Sequence, residues 1–136
     1  MIVRHSKKIT IIRTNKPVER DINHELQWLG VSLGLFNLRD KDKSCFRIFI
    51  ELLKAAKSRN PIPSDDLAAK LGITRGTVVH HLNKLIDSGL VIHERKGYML
   101  RVENLSELIN ELERDVTRIC HDLKSIAADV DKKIGL

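Results

Sequence analysis

Eight apolar residues near the end of the chain, Leu105, Ile109, Leu112, Val116, Ile119, Leu123, Ile126 and Val130, are separated by steps of 4, 3, 4, 3, 4, 3 and 4. That spacing is the repeat of a helix with a single apolar seam, nearly four heptads long. β-branched Ile109, Val116 and Val130 occupy a positions, and Leu or Ile occupies d. Asn104 followed by Glu107 forms a capping-box-like start, and the helix is predicted to run to about Ile134. Such a helix spans roughly 45 Å. A chain of 136 residues builds one small domain, which cannot cover a helix of that length, so part of the seam must pack on something else. The flanking residues are Leu108, Asp115, Asp122 and Asp129 on one edge and Glu113, Cys120 and Ala127 on the other. They offer no attractive charge pairs to a plain parallel two-stranded coil, while Leu108, Cys120 and Ala127 widen the stripe.

A second stripe lies near the start. Ile22, Leu26, Leu29, Leu33 and Phe36 step by 4, 3, 4 and 3, which predicts a helix over 22–36 with Gly30 and Gly34 on another line. Those glycines weaken the helix but allow a close neighbour. The first and last helices are expected to pair, within or between subunits, and to build a homodimer. Leu26, Leu29, Leu33, Ile109, Leu112, Val116, Ile119, Leu123, Ile126 and Val130 would then form the dimerisation surface. The simpler alternative is a monomer in which the last helix folds back alone.

Between the two stripes the punctuation is dense. Residues 9–14, ITIIRT, suit a short strand that Pro17 ends. A charged connector over 37–43 leads to a helix over 44–58, capped by Ser44 or Asp42 and burying Phe46, Phe49, Ile50, Leu53 and an Ala pair. Pro61 and Pro63 stop it. Ser64 is the expected N-cap of a short helix that Gly72 closes, with Asp65 and Asp66 favourable to its dipole. Thr74 caps the next helix, which Gly89 closes. Two strands over 90–94 and 98–102 follow, with a turn at Arg95, Lys96 and Gly97.

The helix pair in the middle has a divided surface. Leu67, Ala68 and Leu71 cover one face of the first helix, Ile73 fills the turn, and Val78, Leu82, Leu85 and Ile86 cover the inner face of the second. Arg75, Gly76, Thr77, Val79, His80, His81, Asn83 and Lys84 are left partly or wholly outward. A helix-turn-helix requires a first helix that holds and a second that offers donors to a groove.

The run Thr77, Val78, His81, Leu82, Leu85, Gly89, Leu90 and Val91 resembles the winged helix-turn-helix of ArsR/MarR-like transcriptional regulators of prokaryotes. The resemblance covers roughly 44–102. It implies a mainly α fold with a β-hairpin wing, here carrying an additional N-terminal helix and the long C-terminal helix, and usually a dimer. It divides the chain into a basic segment over 1–21, a helix and connector over 22–43, the winged domain over 44–103 and a dimerisation helix over 104–136. Carried onto these residues, the helix over 74–87 enters the major groove of double-stranded DNA. Thr74, Arg75, Thr77, His80, His81, Asn83 and Lys84 are its candidate DNA contacts. The wing over 94–98 touches the backbone through Arg95 and Lys96. Arg can grip guanine bidentately, and Lys supplies a point charge to phosphate.

Charge agrees in part. The chain carries 24 Lys and Arg against 18 Asp and Glu, a net +6, which favours a polyanionic partner. Most of the excess lies in front. Residues 1–60 carry +7, residues 61–103 carry +1, and residues 104–136 carry −2. The low figure for the winged region favours the alternative of a protein-interaction module in a larger assembly. Against it, residues 74–101 hold five basic and two acidic groups, and Asp65 and Asp66 are expected to lie away from the recognition helix.

Other chemistries find little support. His80 and His81 lie about 100° apart on a helix and share no chelating face. Metal-sensing relatives place ligands on the first motif helix or the last helix, but 67–74 holds no Cys or His, and Cys120 and His121 have no ligand one turn on. No metal and no cofactor are expected. His24-Glu25 and His93-Glu94 lack the second His of a metalloprotease motif, and the seven glycines form no phosphate loop, dinucleotide fingerprint or nucleophile elbow. No enzyme activity is expected. Cys45 and Cys120 stand 75 residues apart, neither a disulfide framework nor a zinc cluster, which suits a reducing, cytoplasmic setting. A redox- or ligand-responsive regulator with Cys120 in the dimer seam is a third reading. No apolar run approaches a membrane span, and the first residues do not read as a secretory signal.

Overall fold

The computed structural model describes residues 7–36 and 42–136. Its elements, in chain order, are α1 (Ile22–Ser32), α2 (Ser44–Ala55), α3 (Ser64–Leu71), α4 (Arg75–Asp87), β1 (Val91–Glu94), β2 (Gly97–Leu100) and α5 (Leu105–Ile134). This is a mainly helical winged helix-turn-helix with an extra N-terminal helix and a long C-terminal one. Most of the connector, 37–41, lies outside the described residues, as do the first six residues of the basic segment.

α2 is the central helix. Neither expected residue is its N-cap: Lys43 holds that position, with a left-handed φ of 51°, Ser44 is the first helical residue, and Asp42 Oδ1 accepts from the Ser44 amide at 3.0 Å. The buried face is Cys45, Ile48, Phe49, Leu52 and Ala56, one position round from the face predicted, so Phe46, Ile50 and Leu53 are only half-buried. The reason is that α2 is packed on several sides, by α3, α4 and β2. The helix also ends at Ala55, short of the predicted end at Ser58, and Arg59 beyond it takes a left-handed φ of 56°.

Three other expectations need correction. Residues 9–14 form no strand; the segment is irregular and is tied down by Lys8 N donating to Asp87 O and Ile12 N donating to Ser32 O. α1 stops at Ser32, with Gly34 beyond its end at φ 72°, so Phe36 is not on the helix, and Ile22 is 68% exposed. Phe36 reaches the core instead by packing on Phe46 at 4.8 Å. Gly30 does allow the close neighbour: a Cβ there would sit 2.6 Å from Phe36 and 2.8 Å from Phe46. Ser64 is not an N-cap either. Pro63 occupies that position and Ser64 is the first helical residue.

The start of α3 is set from a distance. Ile62 and Tyr98 exchange both backbone hydrogen bonds, at 2.8 and 2.9 Å, adding a one-residue bridge to the edge of the hairpin. Gly97 makes this approach possible. A Cβ on it would lie 2.4 Å from the Ile62 carbonyl carbon, and its φ is 151°. β1 and β2 pair antiparallel, Val91 opposite Leu100 and Glu94 opposite Gly97.

α5 leaves the domain part-way along. Leu108, Leu112 and Asp115 are buried, whereas every residue from 117 to 136 is exposed. The face against the domain is therefore Leu105, Leu108 and Leu112, offset from the heptad seam and sharing Leu105 and Leu112 with it.

Candidate nucleic-acid interface

The tight turn between α3 and α4 orients the candidate reading helix. Gly72 ends α3 in the left-handed conformation, φ 68°, and its amide reaches Ala68 O. Thr74 then caps α4: its Oγ1 accepts from the Thr77 amide at 3.2 Å and hydrogen-bonds Thr77 Oγ1 at 2.8 Å. The hydroxyls of two candidate DNA contacts are thus engaged with each other at the helix start.

Val78, Leu82 and Leu85 are almost fully buried and lock α4 against α2 and α3. The period of these three residues turns Arg75, Gly76, His80, Asn83 and Lys84 to solvent, while Thr77 and His81 are half-buried. The rings of His80 and His81 lie 5.4 Å apart at 60°. His81 lies close enough to Asp42 to contribute, with the stronger Ser44 amide bond, to holding that carboxyl below the usual range.

The expectation that Asp65 lies away from the recognition helix is overturned. Asp65 Oδ1 is 3.3 Å from Arg75 Nε, with both side chains 71% exposed. The turn is short enough to bring the first turn of α3 beside the first turn of α4, so the acids that suit one helix dipole also face the leading cation of the other.

Arg95 and Lys96 are exposed at the hairpin tip. Behind them His93 stacks on Tyr98 across the pair, 4.1 Å apart and nearly parallel. The hairpin is therefore braced on both sides, by this stack and by the Ile62 bridge.

Several supporting residues carry no local sequence signal. Arg47 Nη2 donates to Leu71 O at 2.8 Å, capping the C-terminus of α3 from α2. Glu51 on α2 bridges to Lys70 on α3 at 2.8 Å, and that hydrogen bond lowers its pKa. Arg59 donates to Leu100 O at 3.0 Å. Each joins residues distant in sequence.

Of the dimerisation candidates, Leu33 and Leu112 are buried within the chain. Leu26, Leu29 and Val116 are half-buried, and Ile109, Ile119, Leu123, Ile126 and Val130 are 40–63% exposed. Residues of α1 and of the first half of α5 line opposite sides of an apolar groove of about 390 Å³, among them Trp28, Leu29, Ile109, Leu112 and Val116, with Ile11.

Among the described residues, Glu19, Asp21 and His24 bring ligand atoms within 4.8 Å of one another, all exposed. The cluster has a structural account, since Asp21 caps α1 by accepting from the His24 amide and its second oxygen meets His24 Nδ1 at 2.5 Å. No helix among the described residues is long and apolar enough to cross a membrane.

Residues 42–94, spanning α2 to β1, match a family described as a helix-turn-helix domain. No curated protein matches the chain. The match agrees with the fold described above, a helix-turn-helix over α2 to α4 followed by a hairpin.

Proposed function

We propose that the protein is a sequence-specific transcriptional regulator of the ArsR/MarR-like class. It binds double-stranded DNA as a homodimer in the cytoplasm and carries out no enzymatic reaction. The observation that carries this reading is the division of α4: three buried aliphatics on one face, and Arg75, His80, Asn83 and Lys84 exposed on the rest. The helix over 74–87 enters the major groove, its side chains donating to base edges. The wing over 94–98 lies on the backbone, with Arg95 and Lys96 against phosphate. A dimer sets two such helices about one DNA turn apart and favours a pseudo-palindromic operator.

Selection from random-sequence DNA by the purified protein, run at two salt concentrations, tests this. A common motif with two-fold symmetry and a steep salt dependence is the expected result. Failure to enrich any sequence at either salt concentration would instead favour a protein-interaction module. That alternative draws on the Arg75–Asp65 pair, which partly neutralises the leading cation.

A further inference from the structure

Seven glycines punctuate the chain, and the fold accounts for six of them. Gly34, Gly72, Gly89, Gly97 and Gly135 take positive φ angles. Gly30 has no room for a side chain, being pressed against Phe36 and Phe46. Gly76 has neither reason. Its φ is not positive, and a Cβ built on it meets nothing within 4 Å. It is not a cap, since Thr74 holds the N-cap of α4 and Gly76 is the second helical residue. Glycine there weakens the helix relative to alanine, because it loses more backbone freedom on folding. Neither packing nor a turn offsets that cost, so the reason for Gly76 lies outside the fold.

Its place on α4 is specific. At about 100° per residue, Gly76, His80 and Asn83 fall on one line of the helix, and Val78, Leu82 and Leu85 fall on a line about 200° away. The second line is almost fully buried, and the first is exposed. Gly76 therefore stands at the leading end of the line farthest from the core. The first-turn amides of Arg75 and Gly76 have no carbonyl one turn back to bond, and Thr74 Oγ1 takes the amide of Thr77. The leading end of this line is thus bare main chain, and its first side chain is that of His80, one turn on.

We infer that Gly76 is a specificity-determining residue that reads no base: the missing side chain sets how deeply α4 seats in the major groove. This rests on the DNA-binding reading above and deepens it. In a helix-turn-helix the first residues of the recognition helix come nearest the base edges. Arg75 and His80 lie on either side of the bare position, and hydrogen bonds from them to a base reach only about 3 Å. A methyl group at the point of closest approach meets the groove floor first and lifts the helix, so several of these bonds lengthen at once. Attraction between wing cations and phosphate falls more slowly with distance. Seating depth consequently separates an operator from other DNA more than it changes the hold on DNA in general.

Gly76→Ala and Gly76→Leu in the full chain test the inference. Both substitutes are better helix formers than glycine. Thermal melts should show the Ala midpoint raised by a few degrees, because the site has room and an ordinary backbone. Fluorescence anisotropy at fixed salt then compares the operator selected by the native chain with a mixed-sequence duplex of equal length. Operator affinity should fall roughly tenfold for Ala and further for Leu, while mixed-sequence affinity changes by less than about twofold. Stability and operator binding then move in opposite directions, which a purely structural role for Gly76 does not produce. Unchanged operator affinity in both variants overturns the inference and leaves the regulator reading standing. So does an equal loss on both duplexes, which would place a phosphate at Gly76. A lowered midpoint for Ala also overturns it, by giving glycine a part in the fold. A native chain that selects no operator overturns the regulator reading, and this inference falls with it.

Discussion

Arg101 grips Asp115 with both arms of its guanidinium, Nη1 to Oδ2 at 2.5 Å and Nη2 to Oδ1 at 3.2 Å. Asp115 is 5% exposed and lies on α5; Arg101 follows β2 directly and also donates to Gly89 O and Glu111. One ion pair thus ties the long helix to the hairpin and to the end of α4. It holds the Asp115 carboxyl below the usual range, the Arg101 hydrogen bond being the largest cause, and raises the Arg101 pKa further.

A pH dependence follows from the direction of the Asp115 shift. A carboxylate whose pKa is lowered on folding stabilises the protein above its unfolded value, and that contribution disappears as pH falls through the folded value. Thermal melts of the native chain should therefore lose stability on acidification below the ordinary carboxylate range. Asp115→Asn should flatten that limb and cost about 1–3 kcal/mol at neutral pH, since it leaves the largely buried Arg101 with Glu111 as its remaining carboxylate partner. A variant with the same acid profile as the native chain would remove Asp115 from this role.

Arg75→Ala is expected to relax sequence preference at one base pair by about 1–3 kcal/mol, with little effect elsewhere in the operator. Competition binding with single-base operator variants measures this. Equal losses at every position would assign Arg75 to phosphate contact instead.

Asp65→Asn should act in the opposite sense. It releases the Arg75 guanidinium from its 3.3 Å partner and removes a negative charge near the DNA, so affinity for all sequences should rise roughly two- to threefold, the scale of an exposed ion pair. Titration by fluorescence anisotropy at fixed salt gives the answer, and an unchanged or weaker affinity would place Asp65 away from the bound duplex.

Lys96→Gln tests the wing. Binding to every sequence should weaken similarly, and the slope of log affinity against log salt should fall by about one. A slope equal to the native value would mean that the hairpin tip does not reach the backbone.

Gly97→Ala is expected to destabilise the fold by at least about 2 kcal/mol, because the added methyl meets the Ile62 carbonyl and the backbone has a positive φ. Denaturant unfolding measures the loss. Because Ile62 precedes α3, hydrogen exchange should quicken in α3 as well as in the hairpin.

Much of the α3–α4 unit is legible in the sequence because its determinants are local. Thr74 bonds an amide three residues on, Gly72 adopts a conformation that side chains resist, and Val78, Leu82 and Leu85 repeat with the helix period. The start of α5 is legible for the same reason: Asn104 Oδ1 accepts from the Glu107 amide at 2.8 Å. Residues 9–14 read wrongly because β-branched composition says nothing about whether a partner strand exists. α1 ended early because Gly34, compatible with the stripe, takes a positive φ that ends a helix.

The order of helices and hairpin, the division of α4 and the seam of α5 were thus determined by the sequence alone. Caps, turns and periodicity act within a few residues of one another. Which face of each helix the core uses was decided only in three dimensions. α2 turned by one position because it is surrounded. Asp115, a charged residue on a helix edge, is buried because Arg101 arrives from the hairpin 14 positions away. Asp65 meets Arg75 because a tight turn folds two helix starts together. Such contacts join residues with no shared period, and the free energy of burying a charge depends on the partner that meets it.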